Sequence, residues 1–369
     1  MKSFLAGLLE ICVGLALLIL AHELVLRFLP VARSPAVRPP TAADPIQRYA
    51  PHQPFTWSLG WNFYVVVHGR INAQGFVANY DYRPPDTKPI IAVIGDSMVE
   101  ALMVPYAETL TGRLQATIGD KAQAIAIAQS GSPLSQYVAY AAHACTAYRP
   151  QRLVVAVVGN DFDESVYANR MRDGIHHLYP RGGGEFELKL TPPAPIGLAE
   201  RVARQSALML YLVRNVGIHN VIANMMAGIG MPRAQAKTTD AYVGGARATM
   251  LPARIAEGEK VIAWFLDALP RAACLAPSQI VLAVDAIRPQ LYDEAQLAEA
   301  RSSYFGVMRE EILSKAAAKG FVVIDLEAPF RADFKTSRQP FEFPTDGHWN
   351  SHAHSVVAAE VRKALGNWP

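Results

Sequence analysis

Apolar and polar positions follow three different patterns along this chain. The first is a block with almost no alternation. Between residues 4 and 29 the only polar interruptions are Glu10, His22, Glu23 and Arg27. A bilayer core needs about 20 residues of helix. The uninterrupted stretch 11–21 is too short alone, but residues 4–9 and 24–26 extend it to spanning length. Residues 1–29 therefore read as an N-terminal transmembrane signal anchor. Lys2 and the free amine favour a cytoplasmic start, with the rest of the chain outside. Two other readings stay open. A cleaved signal peptide needs small residues before the cut, and Ala21 fits where Ile19 does not. A surface or packed helix is the other. Glu10 is costly inside lipid and reads as interfacial.

The second pattern, residues 30–88, mixes turn formers with β-branched and aromatic residues. The Pro- and Ala-rich part at 30–56, centred on "RSPAVRPPTAADP", reads as a linker. "NFYVVVHGRINAQGFVANYDYRPP", with Gly69 and Gly75 inside it, predicts a short β-hairpin.

The third pattern starts at Pro89 and alternates short apolar runs with helical periods. Strands are predicted at 90–94, 124–128, 153–158, 280–284 and 321–324. Helices are predicted near 106–118, 134–147, 254–269, 293–319 and 351–365. Short, wholly apolar strands suit a parallel sheet covered on both faces. The fold class is therefore α/β, a three-layer α/β/α sandwich on a mainly parallel five-stranded sheet, spanning residues 89–369. No internal repeat is evident. Residues 163–252 break the rhythm and read as an insertion. "PRGGGEFELKLTPPAPIG" is loop-like with one strand, and the stretch from 198 to 231 is helical and apolar. That stretch suits an insertion core, a lid or a lipid-facing patch, and the first is preferred.

Composition narrows the class. Of 369 residues, 51% are apolar and 18% charged, so the chain can bury a large core. The net charge is only +3 and no long Lys/Arg run occurs, which gives no sign of a nucleic-acid partner. Cys12, Cys145 and Cys274 make neither a disulfide framework nor a metal motif. Cys145 and Cys274 read as buried free thiols, with pairing open to them in an oxidising compartment. No His-Glu-x-x-His spacing is present, and neither a metal nor a cofactor is predicted.

Candidate chemistry sits where an open parallel sheet gathers it, at the carboxyl ends of the strands. The first strand ends in Gly95-Asp96-Ser97. The second runs into Gly131, and the third into Gly159-Asn160. Asp346 and His348 stand just before the last helix. Each alone reads as a turn or a cap. Together they make a complete set. A serine hydroxyl needs a base, and the base needs an orienting carboxylate. Ser97, His348 and Asp346 supply these as nucleophile, base and orienter. The Ser97 and Gly131 backbone N–H groups and the Asn160 amide supply oxyanion donors. Asp96 reads as structural. His352 and His354 read as packing or capping their helix, and His176 and His177 as solvated.

In these residues the chain resembles the SGNH hydrolases, the GDSL-type esterases and acetyltransferases. Gly95-Asp96-Ser97 matches the first block, with Met98 in place of the usual leucine. Gly131 in "SGSP" matches the second block, Asn160 in "GND" the third and His348 the fifth. The usual fifth block has Asp three positions before His. Here position 345 is Thr and Asp346 lies two before, a D-x-H-W variant similar to alginate-type O-acetyltransferases. The resemblance covers residues 89–367 and matches 163–252 only loosely. Residues 69–85 and 23–27 also resemble membrane-anchored bacterial members. It implies a flavodoxin-like sheet and a serine esterase or O-acyltransferase, with acetyl the favoured group. It further implies an acylated cell-envelope glycan as substrate, a single-pass inner-membrane location and a periplasmic catalytic domain. A membrane acyltransferase partner stays open. The competing reading is a catalytically inactive glycan-binding or scaffold protein of a membrane modification or export complex.

Overall fold

The computed structural model describes residues 2–41, 43–85, 87–218, 248–344, 346–366 and 368. They form two compact units. One comprises residues 1–35, 54–69 and 195–236, the other residues 36–53, 70–194 and 237–369.

The larger unit is built on five parallel strands: β1 (Ile90–Gly95), β2 (Gln123–Ala128), β3 (Arg152–Val157), β4 (Ile280–Val284) and β5 (Val322–Asp325). Their order is β5-β4-β3-β1-β2, the doubly wound flavodoxin-like order. Its reversal point lies between β1 and β3, so the loops after these two strands open the crevice where ligands bind in such sheets. Every residue of β1, β2 and β4 is buried. That is why these strands read as unbroken apolar runs. One helical layer packs Leu134–Tyr148 on Pro252–Ala273 and the latter on Tyr304–Ala318. The other packs Leu110–Ile118 on Ser351–Leu365, which also meets Glu327–Ser337. The last helix begins where Asn350 accepts the Ala353 N–H, and it ends on Arg362 and Lys363 beside the negative end of its dipole.

Several expectations are corrected here. The helix predicted over 293–319 is two, Glu294–Ala300 and Tyr304–Ala318. The Ser303 hydroxyl accepts from Gly306 N–H and starts the second. Residues 30–56 are more than a linker: Val37–Arg38 pairs with Arg48–Tyr49, and Ile46, Tyr49 and Phe55 are buried. In the region of 163–252 the strand Phe186–Leu190 is joined antiparallel by His176–Pro180. Cys145 and Cys274 are not free thiols. They form a disulfide with a Cα–Cα distance of 5.8 Å, tying Leu134–Tyr148 to the end of Pro252–Ala273.

The smaller unit holds the N-terminal helix Lys2–Leu26, long and apolar enough over Phe4–Leu26 to cross a membrane; most of its large apolar side chains are exposed, while Leu26 is buried. A hairpin joins Pro54–Leu59 to Val65–Arg70, so its first strand begins at the end of the stretch 30–56 read as linker. Gly69 is required beneath the Phe55 ring, since a Cβ there would stand 2.2 Å from Cζ. The helical stretch after 197 breaks into Leu198–Ala203, Ala207–Leu210 and a wide turn over Tyr211–Asn215. The apolar stretch 220–231 lies outside the described residues.

Candidate active site

Strand β1 delivers Ser97. The strand is buried up to Gly95, and the chain then turns into the one-turn helix Ser97–Glu100. A Cβ on Gly95 would lie 2.4 Å from Cγ2 of Val99, so the helix can fold back this closely only on glycine. Asp96 caps the turn, its Oδ1 accepting from Met98 N–H at 2.9 Å. Burial pushes the Asp96 carboxyl upward, opposed by the Met98 N–H, the charge of His348 and the Ser97 hydroxyl. The Ser97 hydroxyl donates to Asp96 Oδ2 at 3.2 Å.

The loops after β2 and β3 bring Gly131 and Asn160. Gly131 has φ +70, and a Cβ there would stand 1.7 Å from the Arg172 guanidinium. The left-handed backbone favours glycine, and the guanidinium sits where a side chain would start. Asn160 lies on the turn Gly159–Asp161. Its neighbour Asp161 is wholly buried and fixes the turn by accepting from Val158 N–H at 2.8 Å and from the Tyr137 hydroxyl. Burial, reinforced by the Asp96 charge, pushes the Asp161 carboxyl well above the usual carboxylate range. Asn160 Nδ2 donates to Glu164 Oε2 at 3.3 Å, and Glu164 Oε1 pairs with the Arg170 guanidinium. An amide nitrogen carries two hydrogens. Glu164 therefore fixes the plane of the Asn160 amide and leaves one N–H to donate elsewhere.

His348 lies on the short strand Asp346–Trp349, antiparallel to Glu342–Phe343. Its Nδ1 is paired with Asp346 Oδ1, which also accepts the His348 backbone N–H. Burial alone would lower the His348 pKa. The hydrogen bond and charge of Asp346, aided by Asp96, outweigh it and hold the imidazole above its ordinary value. Burial likewise pushes Asp346 up, and the bonds and charge of His348 bring it below the carboxylate range. Each partner thus favours the charged form of the other.

The loop carrying the pair is fixed from below. Arg288 is buried and donates to Asp285 at 2.6 Å, to Glu342 at 3.2 Å and to the Gly347 carbonyl at 3.3 Å. The indole N–H of Trp349 donates to Asp285 at 3.1 Å. The Met98 sulfur, in the position where related motifs have leucine, lies 3.3 Å from the Trp349 backbone nitrogen. This contact ties the serine turn to the histidine strand.

A cavity of about 630 Å³ is lined by Ser97, Gly131, Asn160, Asp346 and His348 together. Residues separated by up to 251 positions thus face one space. Sequence reasoning missed the polar groups around them: Glu164, Arg170, Asp285 and Arg288, which line the same cavity. The acid-to-base spacing of Asp285 and Arg288, just past a fully apolar strand, was the available signal. The other histidines separate from the site. His354 is buried, its Nδ1 accepts the Leu110 N–H, and burial lowers its pKa to about 3. His352 pairs with Asp333 and stacks on Phe341. His176 and His177 are not solvated as expected. His177 is buried against Thr191 and His176 bonds Gln136. Among the described residues no cluster of His, Cys, Asp or Glu is arranged to hold a metal ion.

No family model and no curated protein matches the sequence. Solved structures similar to the chain include TesA, at 11% identity and a TM-score of 0.37, covering 75% of this chain and 98% of that one. A member of the lipolytic protein G-D-S-L family from Veillonella parvula is similar at 12% identity and 0.36, covering 76% and 99%. An alpha/beta hydrolase enzyme from the metagenome of Lake Arreo, Spain, is similar at 11% identity and 0.41, covering 77% and 97%. At these levels the chemistry rests on the geometry of the cavity itself.

Proposed function

We propose that the chain is a serine esterase or O-acyltransferase of the SGNH type. The single observation that carries this reading is the convergence of Ser97, the Asp346–His348 pair, Gly131 and Asn160 on one cavity. Substrate binding re-aims the Ser97 hydroxyl from Asp96 toward His348 Nε2, the ring nitrogen that Asp346 does not engage; catalytic hydrogen bonds often tighten only in the substrate complex. Ser97 Oγ then attacks an ester carbonyl while His348 takes its proton. The resulting oxyanion is held by the Ser97 and Gly131 N–H groups and the remaining Asn160 N–H. Collapse breaks the bond to the leaving alcohol, which receives the proton from His348, and leaves an acyl-Ser97 ester. A second hydroxyl attacks this ester, gives its proton to His348 and returns Ser97 to its starting state. Water as acceptor makes the protein an esterase. A sugar hydroxyl makes it an O-acyltransferase, with acetyl the favoured group and an envelope glycan the favoured substrate.

An extracytoplasmic location, anchored in a bacterial inner membrane by Lys2–Leu26, is supported by two features. These are the apolar length of that helix and the Cys145–Cys274 bond, which persists in oxidising compartments. The deciding assay is turnover of p-nitrophenyl acetate by the full chain beside Ser97→Ala and His348→Gln. Each substitution is expected to lower kcat about 10³-fold or more. Equal turnover by all three would sink the catalytic assignment and favour a binding or scaffold role. With an ester donor and a glycan acceptor together, acyl-sugar product separates transfer from hydrolysis.

A further inference from the structure

The smaller unit has a surface that the catalytic reading leaves unused. Residues 54–69, "PFTWSLGWNFYVVVHG", contain no Asp, Glu, Lys or Arg. The hairpin they form nonetheless exposes Trp61 at 71%, Tyr64 at 43% and Val66 at 38%. Leu198 and Val202, one turn apart on Leu198–Ala203, are 71% and 61% exposed, and Phe28, just past the N-terminal helix, is 89% exposed. Large apolar side chains left in water within one compact unit mark a contact surface.

The hairpin and the stretch that follows Leu198–Ala203 are tied to the last turns of the N-terminal helix. Glu23 accepts from the Ser206 hydroxyl at 2.8 Å and from the Ala207 and Leu208 N–H groups at 3.0 and 2.9 Å. Leu26, Val31, Ala207 and Leu210 form a small core against Phe63 and Tyr211. The Tyr211 hydroxyl donates to the Trp61 carbonyl at 2.8 Å, and buried Asn215 bridges Ala32 N–H and the Ser58 hydroxyl. An α-helix rises 1.5 Å per residue. A contact at Glu23 therefore sits within about one turn of the end of the apolar span Phe4–Leu26.

We propose that the hairpin and the Leu198–Ala203 helix form a lipid-docking collar. They rest in the headgroup layer of the bilayer from which the N-terminal helix emerges. This rests on the anchor reading given above. The occupant follows from composition and continuity. Trp and Tyr favour the membrane–water interface, where an apolar ring and a polar tip are both satisfied. The apolar surface continues from the helix itself. The charged residues beside it are mostly basic: in residues 23–35 and 195–218 Arg27, Arg33, Arg201, Arg204 and Arg214 stand against Glu23, which pairs with Arg27, and Glu200, which pairs with Arg204. An anionic phospholipid surface complements that excess. The exposed aromatic residues of the hairpin and the broken helix of the insertion thus have one physical purpose, to fix the depth and tilt of the emerging chain.

The test uses the full chain in vesicles of phosphatidylcholine and phosphatidylglycerol carrying brominated lipids, which quench nearby fluorophores. Trp61 is read as the difference between the natural chain and Trp61→Phe. In a Cys12→Ser background, a thiol-reactive fluorophore on Leu198→Cys reports the short helix and one on Ile19→Cys reports the anchor. The expected result is loss of about half or more of the emission at Trp61 and position 198, with bromines near the headgroups, and quenching at position 19 by deeper bromines. Quenching at 19 without quenching at 61 and 198 would overturn the collar while leaving the anchor intact, and would assign the face to water or a protein. Absence of quenching at 19 would instead overturn the anchor. Position 198 is exposed, so its probe reads the surface even if Trp61→Phe perturbs the hairpin.

Discussion

At the scale of the residue, charge balance around His348 sets the behaviour of the site. Below its pKa the imidazole is protonated and cannot take the Ser97 proton. Asp346 and Asp96 hold that pKa above the ordinary 6.5, so kcat/KM is expected to fall as pH falls through a value above 6.5. Asp346→Asn removes the dominant opposition to burial, and its profile should inflect at lower pH. An unshifted inflection in a pH–rate series would discard Asp346 as the orienting group. The same pair is linked to stability with two signs. The raised His348 pKa contributes fully below 6.5 and is lost as pH rises through the folded value. The lowered Asp346 pKa contributes above 3.8 and is lost as pH falls. Denaturant midpoints of the natural chain and Asp346→Asn should therefore differ most between about pH 4 and 6.5. On the proposed mechanism Glu164 acts through Asn160, whose amide it binds. Glu164→Ala frees the amide to rotate and is expected to lower kcat by about 10- to 100-fold with KM little changed, whereas Glu164→Gln retains an acceptor and most of the rate. Equal loss in both, or a change confined to KM, would remove Glu164 from this role.

At the scale of the element, two ties hold the site. The disulfide closes a loop across 129 positions and joins two packed helices. Cys145→Ser with Cys274→Ser is expected to cost about 2–5 kcal/mol in denaturant unfolding, with the esterase rate at low temperature retained. The second tie is Arg288. It is buried against Asp285 and Glu342 and holds the Gly347 carbonyl between Asp346 and His348. Arg288→Ala leaves buried Asp285 and half-buried Glu342 without their counter-charge and should cost about 3–5 kcal/mol. An unchanged midpoint would show that the charges are solvated. The central strands were legible because parallel strands buried on both faces are apolar runs, and the edge strand β5 was legible from Val322, Val323 and Ile324 before its exposed Asp325. The split at Ser302-Ser303 was not, because the apolar period continues across it and only the cap from Ser303 to Gly306 N–H ends one helix and starts the next. The hairpin strand Pro54–Leu59 was hidden for a similar reason. It follows a Pro-rich stretch, and its pairing with Val65–Arg70 is specified across the turn rather than within the strand.

At the scale of the whole molecule, the sequence alone determined the layered α/β class, the apolar N-terminal helix and Ser97, Gly131, Asn160, Asp346 and His348, which line one cavity. The reason is local. Buried strands, a glycine forced by backbone or packing, and a serine or histidine at a strand end all leave marks within a few neighbouring residues. What only the tertiary structure decided depends on partners far apart in the chain. Cys145 and Cys274 are 129 positions apart, and spacing gave no sign that they pair. Glu23 is 183 positions from the Ser206 hydroxyl it accepts, so nothing near either residue announces that the insertion folds onto the end of the N-terminal helix. Arg288 meets Glu342 across 54 positions, and the charge that steadies the His348 strand was unreadable until the chain closed. Periodicity records what each residue does to its own segment; a salt bridge or a disulfide records where the fold has brought two segments, and that is settled by packing.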